Sequence, residues 1–309
     1  MKIAFVFPGQ GSQSAGMLDG FAGNPAVADV LQRAGQALDQ DLASLIAQGP
    51  ADALNLTTNT QPVMLTAGAA VYAAWLAAGG RVPDLMAGHS LGEYTALVAA
   101  GALSLEDGVR LVRLRADAMQ SAVPVGQGGM AAILGLGDDA VRQACAEAAQ
   151  GEIVEAVNFN APAQVVIAGH KTAVERACAA AKAAGAKRAL PLPVSAPFHS
   201  SLLRPAAEAL AAALADIQVM PPRVPVLNNV DVAAPGEPAE IRDALVRQAW
   251  HPVRWVETIQ AMKAGGVTHV IECGPGKVLA GLAKRIDGDI TVLAITDPAS
   301  LEAALDATR

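Results

Sequence analysis

The chain has 309 residues, of which 52% are hydrophobic, and its 29 acidic and 22 basic side chains leave a net charge of −7. That length can bury a large core and suggests about two domains, while no apolar run reaches the roughly 18 residues of a membrane span. An acidic balance without a basic stripe argues against nucleic acid as a bulk partner and for small-molecule chemistry.

The first residues could be misread as a signal peptide, but the apolar run is short and leads into a glycine loop. It reads as a buried strand over 3–7 in a cytoplasmic protein. The loop Pro8-Gly9-Gln10-Gly11-Ser12-Gln13 lacks the Lys-Ser/Thr of a P-loop, and Ser14 stands where a dinucleotide fingerprint has its third glycine. A glycine loop at a strand's carboxyl end is nevertheless where an open α/β sheet puts ligand groups. Helical patterns follow over 25–38 and 41–48, and Asn59-Thr60-Gln61-Pro62 lies in the opening of a long one over 57–78.

Gly88-His89-Ser90-Leu91-Gly92 then falls between an apolar run at 85–87 and a helical pattern over 91–100. A G-x-S-x-G in that context is the pattern of a nucleophile elbow: the serine is exposed on a sharp turn, and glycines let the flanking backbones approach. The next helix, 105–121, opens on Ser104 with Asp107 three residues on, a capping pattern. On its wheel Arg110, Arg113 and Asp117 take the solvated side, but Arg115, at roughly 280°, falls inside the apolar arc of Leu111, Val112 and Met119. A guanidinium there needs an anion or several acceptors.

From Gly126 the texture changes. Strands over 128–135, 153–158, 164–169 and 186–190 and helices over 138–149 and 171–184 follow in the order β-α-β-β-α-β, a ferredoxin-like arrangement. The expected domains are an α/β hydrolase-like unit of residues 1–125 and 192–309 and an inserted subdomain of residues 126–191. After it, Pro191-Leu192-Pro193-Val194-Ser195-Ala196-Pro197-Phe198-His199-Ser200 forms a proline-punctuated loop that presents His199 as a positioned base should be presented. The last third reads as strands over 224–227 and 268–271 with helices over 238–249, 253–264, 277–286 and 298–307. Glu272-Cys273-Gly274-Pro275-Gly276 makes another glycine loop at a strand end. The three cysteines, Cys145, Cys178 and Cys273, lack metal-ligand spacing and read as reduced, packed thiols.

Taken in order, these motifs, with Asn158-Phe159-Asn160 and Arg115 within its helix, resemble the malonyl-CoA:acyl-carrier-protein transacylase family of fatty-acid synthesis along essentially the whole chain. The resemblance implies a parallel-sheet, hydrolase-like core with the active site in the cleft beside the inserted subdomain. It implies Ser90 as the malonyl-accepting nucleophile, His199 as its base oriented by the backbone carbonyl of Gln248, and the N–H groups of Gln10 and Leu91 as the oxyanion hole. Arg115 would bind the malonyl carboxylate, and Gln61, His89, Met119, Asn160, Gln164 and Phe198 would line the pocket. Leu91 and Phe198 resemble the malonyl-selecting versions of related acyltransferases. From the residues alone no third acid stands out, and Asp231 and Glu257 stay open.

The implied partners are malonyl-CoA, as a substrate, and an acyl carrier protein. No metal or other cofactor, no nucleic acid and no membrane are expected, and the chain is expected to act as a monomer. Lys187, Arg188, Lys284 and Arg285 are candidates for docking an acidic carrier. The rival readings are a serine thioesterase or hydrolase, a malonyl transferase for a malonate decarboxylase or polyketide carrier, and a non-catalytic module that binds acyl-CoA or a carrier protein without turnover.

Overall fold

A computed structural model describes residues 1–194 and 196–309; Ser195, in the proline-punctuated loop, lies outside the described residues. The first strand, β1 (Ile3–Phe7), is apolar and buried at every position, as a strand covered on both faces must be. Four helices follow it: α1 (Pro25–Leu38), α2 (Leu42–Gln48), α3 (Ala51–Asn55) and α4 (Thr57–Ala77). Short α3 was not expected. Helix α4 is buried around almost its whole circumference, since it packs between the sheet and other helices. Its Trp75 and Tyr72 meet Phe5 edge-on, with ring centroids 5.2 and 5.8 Å away.

Strand β2 (Leu85–Gly88) leads through the serine turn into α5 (Leu91–Ala99), and α6 (Leu105–Ser121) follows. Ser104 caps α6 by accepting from the Asp107 N–H at 3.0 Å, as its sequence pattern requires. The next unit comprises β3 (Gly128–Leu134), α7 (Asp138–Ala149), β4 (Val154–Ala161), β5 (Gln164–His170), α8 (Lys171–Ala183) and β6 (Arg188–Pro191). Helix α9 (Arg204–Asp216), β7 (Val226–Leu227), α10 (Pro238–Gln248), α11 (Trp255–Ala264), β8 (His269–Cys273), α12 (Val278–Ile286), β9 (Thr291–Ile295) and α13 (Pro298–Ala307) complete the chain.

The strands form two sheets. One is parallel, in the order β7-β2-β1-β8-β9, and the other antiparallel, in the order β4-β5-β3-β6. The antiparallel sheet has its own core against α7 and α8, which includes Ile133, Val141, Val165 and Ala177. Its other face carries Met130, Val157, Val166 and Ala168, packed with Phe198.

The antiparallel sheet is tied by backbone bonds to the segment that leads into α11. Val253 exchanges backbone hydrogen bonds with β4, giving its N–H to Val157 O at 2.8 Å and accepting the Phe159 N–H at 3.0 Å. For this reason α11 starts at Trp255 and not at the expected 253. Likewise β6 starts two residues late, because the Ala186 N–H still closes the end of α8 on Ala181 O at 2.9 Å, with Gly185 at φ +102°. Among the described residues no helix is long and apolar enough to cross a membrane.

Candidate active site

Parallel pairing in register, Phe7 against Gly88, brings the ends of β1 and β2 side by side, and the His89 N–H donates to Phe7 O at 3.1 Å. The loop after β1 and the serine turn therefore face each other at the carboxyl edge of the sheet. Ser90 sits at φ 51°, ψ −109°, a conformation that costs a non-glycine residue about 1–3 kcal/mol. Its neighbours must be glycines: a Cβ on Gly88 would lie 1.8 Å from Gly92 C, and one on Gly92 would lie 2.0 Å from Phe7 O. Asn229 clamps the turn from outside, accepting the Ser90 N–H at 2.7 Å and donating to Gly88 O at 2.7 Å.

His199 lies against the serine, its Nε2 2.6 Å from Ser90 Oγ. It too holds a left-handed backbone, φ 65°. The opposite ring nitrogen, Nδ1, is 2.9 Å from the backbone oxygen of Gln248. A carbonyl only accepts, so Nδ1 carries the proton and Nε2 is left to accept from the hydroxyl. Burial, and then the charge of Arg115, push the His199 pKa down to about 3, which keeps the imidazole neutral. The two carboxylates left open by the sequence are engaged elsewhere, Asp231 with Arg247 and Glu257 with Arg254.

Arg115 is 2% exposed, on the buried side of α6. Its guanidinium donates to Gln61 Oε1 at 2.8 Å, Gln248 Oε1 at 3.0 Å and Ser90 Oγ at 3.1 Å, and lies 5.3 Å from the centroid of the Tyr94 ring. Burial lowers its pKa, and its Nε has no protein partner among the described residues. Arg113, expected on the solvated side, is instead half-buried, because its Nη2 donates to Gln40 Oε1 at 2.5 Å and to Asn59 Oδ1 at 3.4 Å.

These groups open on a cavity of about 230 Å³ whose walls include Gln10, Gln61, His89, Ser90, Leu91, Arg115, Asn160, Phe198 and His199. Leu91 is the first residue of α5, so its N–H has no carbonyl behind it in the helix and is free to serve a ligand. His89 Nε2 is bonded to Asn160 Oδ1 at 2.7 Å, joining the serine turn to β4. Two expected wall residues are elsewhere. Met119 is a turn of α6 beyond Arg115 and fully buried in the large core. Gln164 begins β5, accepts from Arg285 of α12 and is not among the residues that line the cavity.

The sequence reading missed Met130, Val166, Leu192 and Val194, which supply the apolar side of the cavity. Alternation along β3 and β5 could have placed Met130 and Val166 on one face. Asn229 and the side chain of Gln248 were also missed as supports, and nothing local in 224–230 marks Asn229. Among the described residues no cluster of three His, Cys, Asp or Glu side chains is arranged to hold a metal, and the three cysteines are free.

Comparison with known proteins gives the chain its family. The acyl transferase domain family matches residues 4–287. A malonyl CoA-acyl carrier protein transacylase of Salmonella typhimurium LT2 is 57% identical over 98% of this chain and 99% of its own. The crystal structure of an acyl-carrier-protein S-malonyltransferase from Burkholderia pseudomallei 1710b superposes with a TM-score of 0.98 at 66% identity, covering 99% of this chain and 100% of that one. A malonyl-transacylase solved in complex with a type II polyketide acyl-carrier protein superposes equally well, TM-score 0.98, at 51% identity over 99% of this chain and 100% of that one. The chain belongs to the malonyl CoA-acyl carrier protein transacylase family of acyl transferases.

Proposed function

We propose that this chain transfers the malonyl group of malonyl-CoA to the phosphopantetheine thiol of an acyl carrier protein, through a malonyl ester on Ser90. The observation that carries the reading is the convergence on Ser90 Oγ of a neutral imidazole at 2.6 Å and an anion-seeking guanidinium at 3.1 Å. The family names of its relatives support it.

In the first half-reaction Ser90 Oγ attacks the thioester carbonyl while His199 Nε2 takes the hydroxyl proton. The oxygen that becomes negative is received by the N–H groups of Gln10 and Leu91, each such donor being worth roughly 10² to 10³ in rate. The C–S bond breaks, and the imidazolium returns the proton to the departing CoA sulfur. In the second half the carrier thiol gives its proton to His199 and attacks the malonyl ester, and Ser90 Oγ leaves with that proton restored. Arg115 binds the free carboxylate of the malonyl group as a bidentate pair. Protein side chains and backbone supply every step, and malonyl-CoA is a substrate rather than a cofactor.

In architecture we assign residues 1–125 and 192–309 to a hydrolase-like domain and residues 126–191 to a ferredoxin-like subdomain, a reading that the strand order β4-β5-β3-β6 and the separate core beneath it support. The protein acts as a cytoplasmic monomer, and Lys187, Arg188, Lys284 and Arg285, all exposed, offer an acidic carrier its docking charge.

Intact-protein mass after mixing with malonyl-CoA tests the nucleophile. The parent gains one malonyl group and Ser90→Ala gains none; an adduct that persists on Ser90→Ala would move the nucleophile elsewhere.

A further inference from the structure

Glu93 lies three residues beyond Ser90 in the first turn of α5 and is 2% exposed. In the mechanism above it touches neither substrate nor reacting atoms. Its Oε2 nevertheless accepts two hydrogen bonds, from the Asn229 backbone N–H at 2.8 Å and from Gln248 Nε2 at 3.0 Å. Those two residues hold the serine turn from opposite sides. Asn229 Oδ1 takes the Ser90 N–H at 2.7 Å, and Gln248 Nε2 donates to Ser90 O at 2.8 Å.

Gln248 does more than this. Its Oε1 accepts from Arg115 at 3.0 Å, and its main-chain oxygen accepts from His199 Nδ1 at 2.9 Å. The amide has only one useful orientation, with NH2 toward two acceptors and oxygen toward the guanidinium. Turned over, its NH2 would face the Arg115 donors and its oxygen would face Ser90 O. Burying a carboxyl here is opposed by desolvation, which raises its pKa to about 7, so it persists only where the bonds it accepts offset that cost.

We infer that Glu93 is the positioning residue of this site: one carboxyl oxygen, shared by Asn229 and Gln248, fixes the amide that aligns the serine turn with Arg115. It acts through Gln248 and exchanges no proton with the substrate. The inference rests on the roles of Ser90, His199 and Arg115 proposed above.

The test compares kcat/KM for malonyl-CoA in the parent, Glu93→Gln, Glu93→Asp, Gln248→Ala and Glu93→Asp with Gln248→Ala, with thermal melting to show that each is folded. Glu93→Gln presents an amide oxygen to the same two donors and restores activity to within about threefold of the parent, whereas Glu93→Asp withdraws the oxygen by one methylene and loses about tenfold or more. In the Gln248→Ala background, which keeps the main-chain oxygen for His199, the added loss from Glu93→Asp shrinks to about threefold or less. A fully active Glu93→Asp, a folded Glu93→Gln that loses tenfold, or an undiminished loss in the Gln248→Ala background would each overturn the assignment. Where Glu93→Asp does not fold, Glu93→Gln decides alone by the same threshold. Failure of the underlying reading is distinct: the parent itself would then transfer no malonyl, or Ser90→Ala would transfer it.

Discussion

A guanidinium that is 2% exposed and donates to the neutral oxygens of Gln61, Gln248 and Ser90 is paired with no carboxylate by a direct hydrogen bond among the described residues. Replacing Arg115 with alanine should therefore raise the activation free energy of malonyl transfer by about 2–3 kcal/mol, the scale of a lost hydrogen bond to a charged group. Acetyl transfer, with no carboxylate to bind, should fall far less, and steady-state kcat/KM for the two acyl-CoAs checks this. Equal losses would remove the carboxylate from the role of Arg115. At this scale much was legible in sequence, because Ser90, His199 and Arg115 each break a local rule: a serine between two glycines, a histidine behind prolines, an arginine on an apolar arc. The supports were not legible. Asn229 and the amide of Gln248 are ordinary polar residues whose meaning comes from what lies 139 and 158 positions away along the chain. Met119 and Gln164, expected at the cavity wall, are not among the residues that line it, Met119 being packed into the large core and Gln164 bonded to Arg285.

Between strand and helix, the serine turn works because β2 and α5 come within backbone contact of β1. Gly92→Ala places a Cβ 2.0 Å from Phe7 O, so we expect a loss of about 3 kcal/mol or more, seen as a lower urea midpoint or as insoluble protein. A variant as stable as the parent would mean that β1 and α5 do not approach so closely. Most helices were readable from their period and caps, such as Ser104 at the start of α6. Strands were harder. Strand β9, half-buried except at its ends, was missed because its period is weak, and α3 because five residues carry almost no periodic signal. The shifts at α11 and β6 came from long-range or capping bonds that no window of sequence contains.

For the molecule as a whole, the second loop-and-helix unit beside the cavity hangs on Glu272. This carboxyl, fully buried at the end of β8, accepts the Ala280 N–H at 2.7 Å and so pins α12, whose Leu279 and Leu282 line the cavity. Burial raises its pKa from 4.5 to about 7. Between those values the folded protein holds a proton that the unfolded chain has released, so this stabilising contribution is complete below about 4.5 and is lost as pH rises through 7. Glu272→Gln should accordingly gain on the parent by on the order of 2 kcal/mol, or a few degrees in Tm, between pH 5 and pH 8. Glu93, raised in the same direction, and His199, lowered, are present in both proteins and cancel in the comparison. A constant difference between variant and parent across that range would show that Glu272 does not titrate there. The central claim, that the cleft passes a malonyl group from one thiol to another through Ser90, is tested most directly by supplying labelled malonyl-CoA and a holo acyl carrier protein. Carrier-bound and free malonyl are then counted in the same reaction. The account predicts label on the carrier, lost with Ser90→Ala; label appearing chiefly as free malonate, or transfer that survives Ser90→Ala, would contradict it.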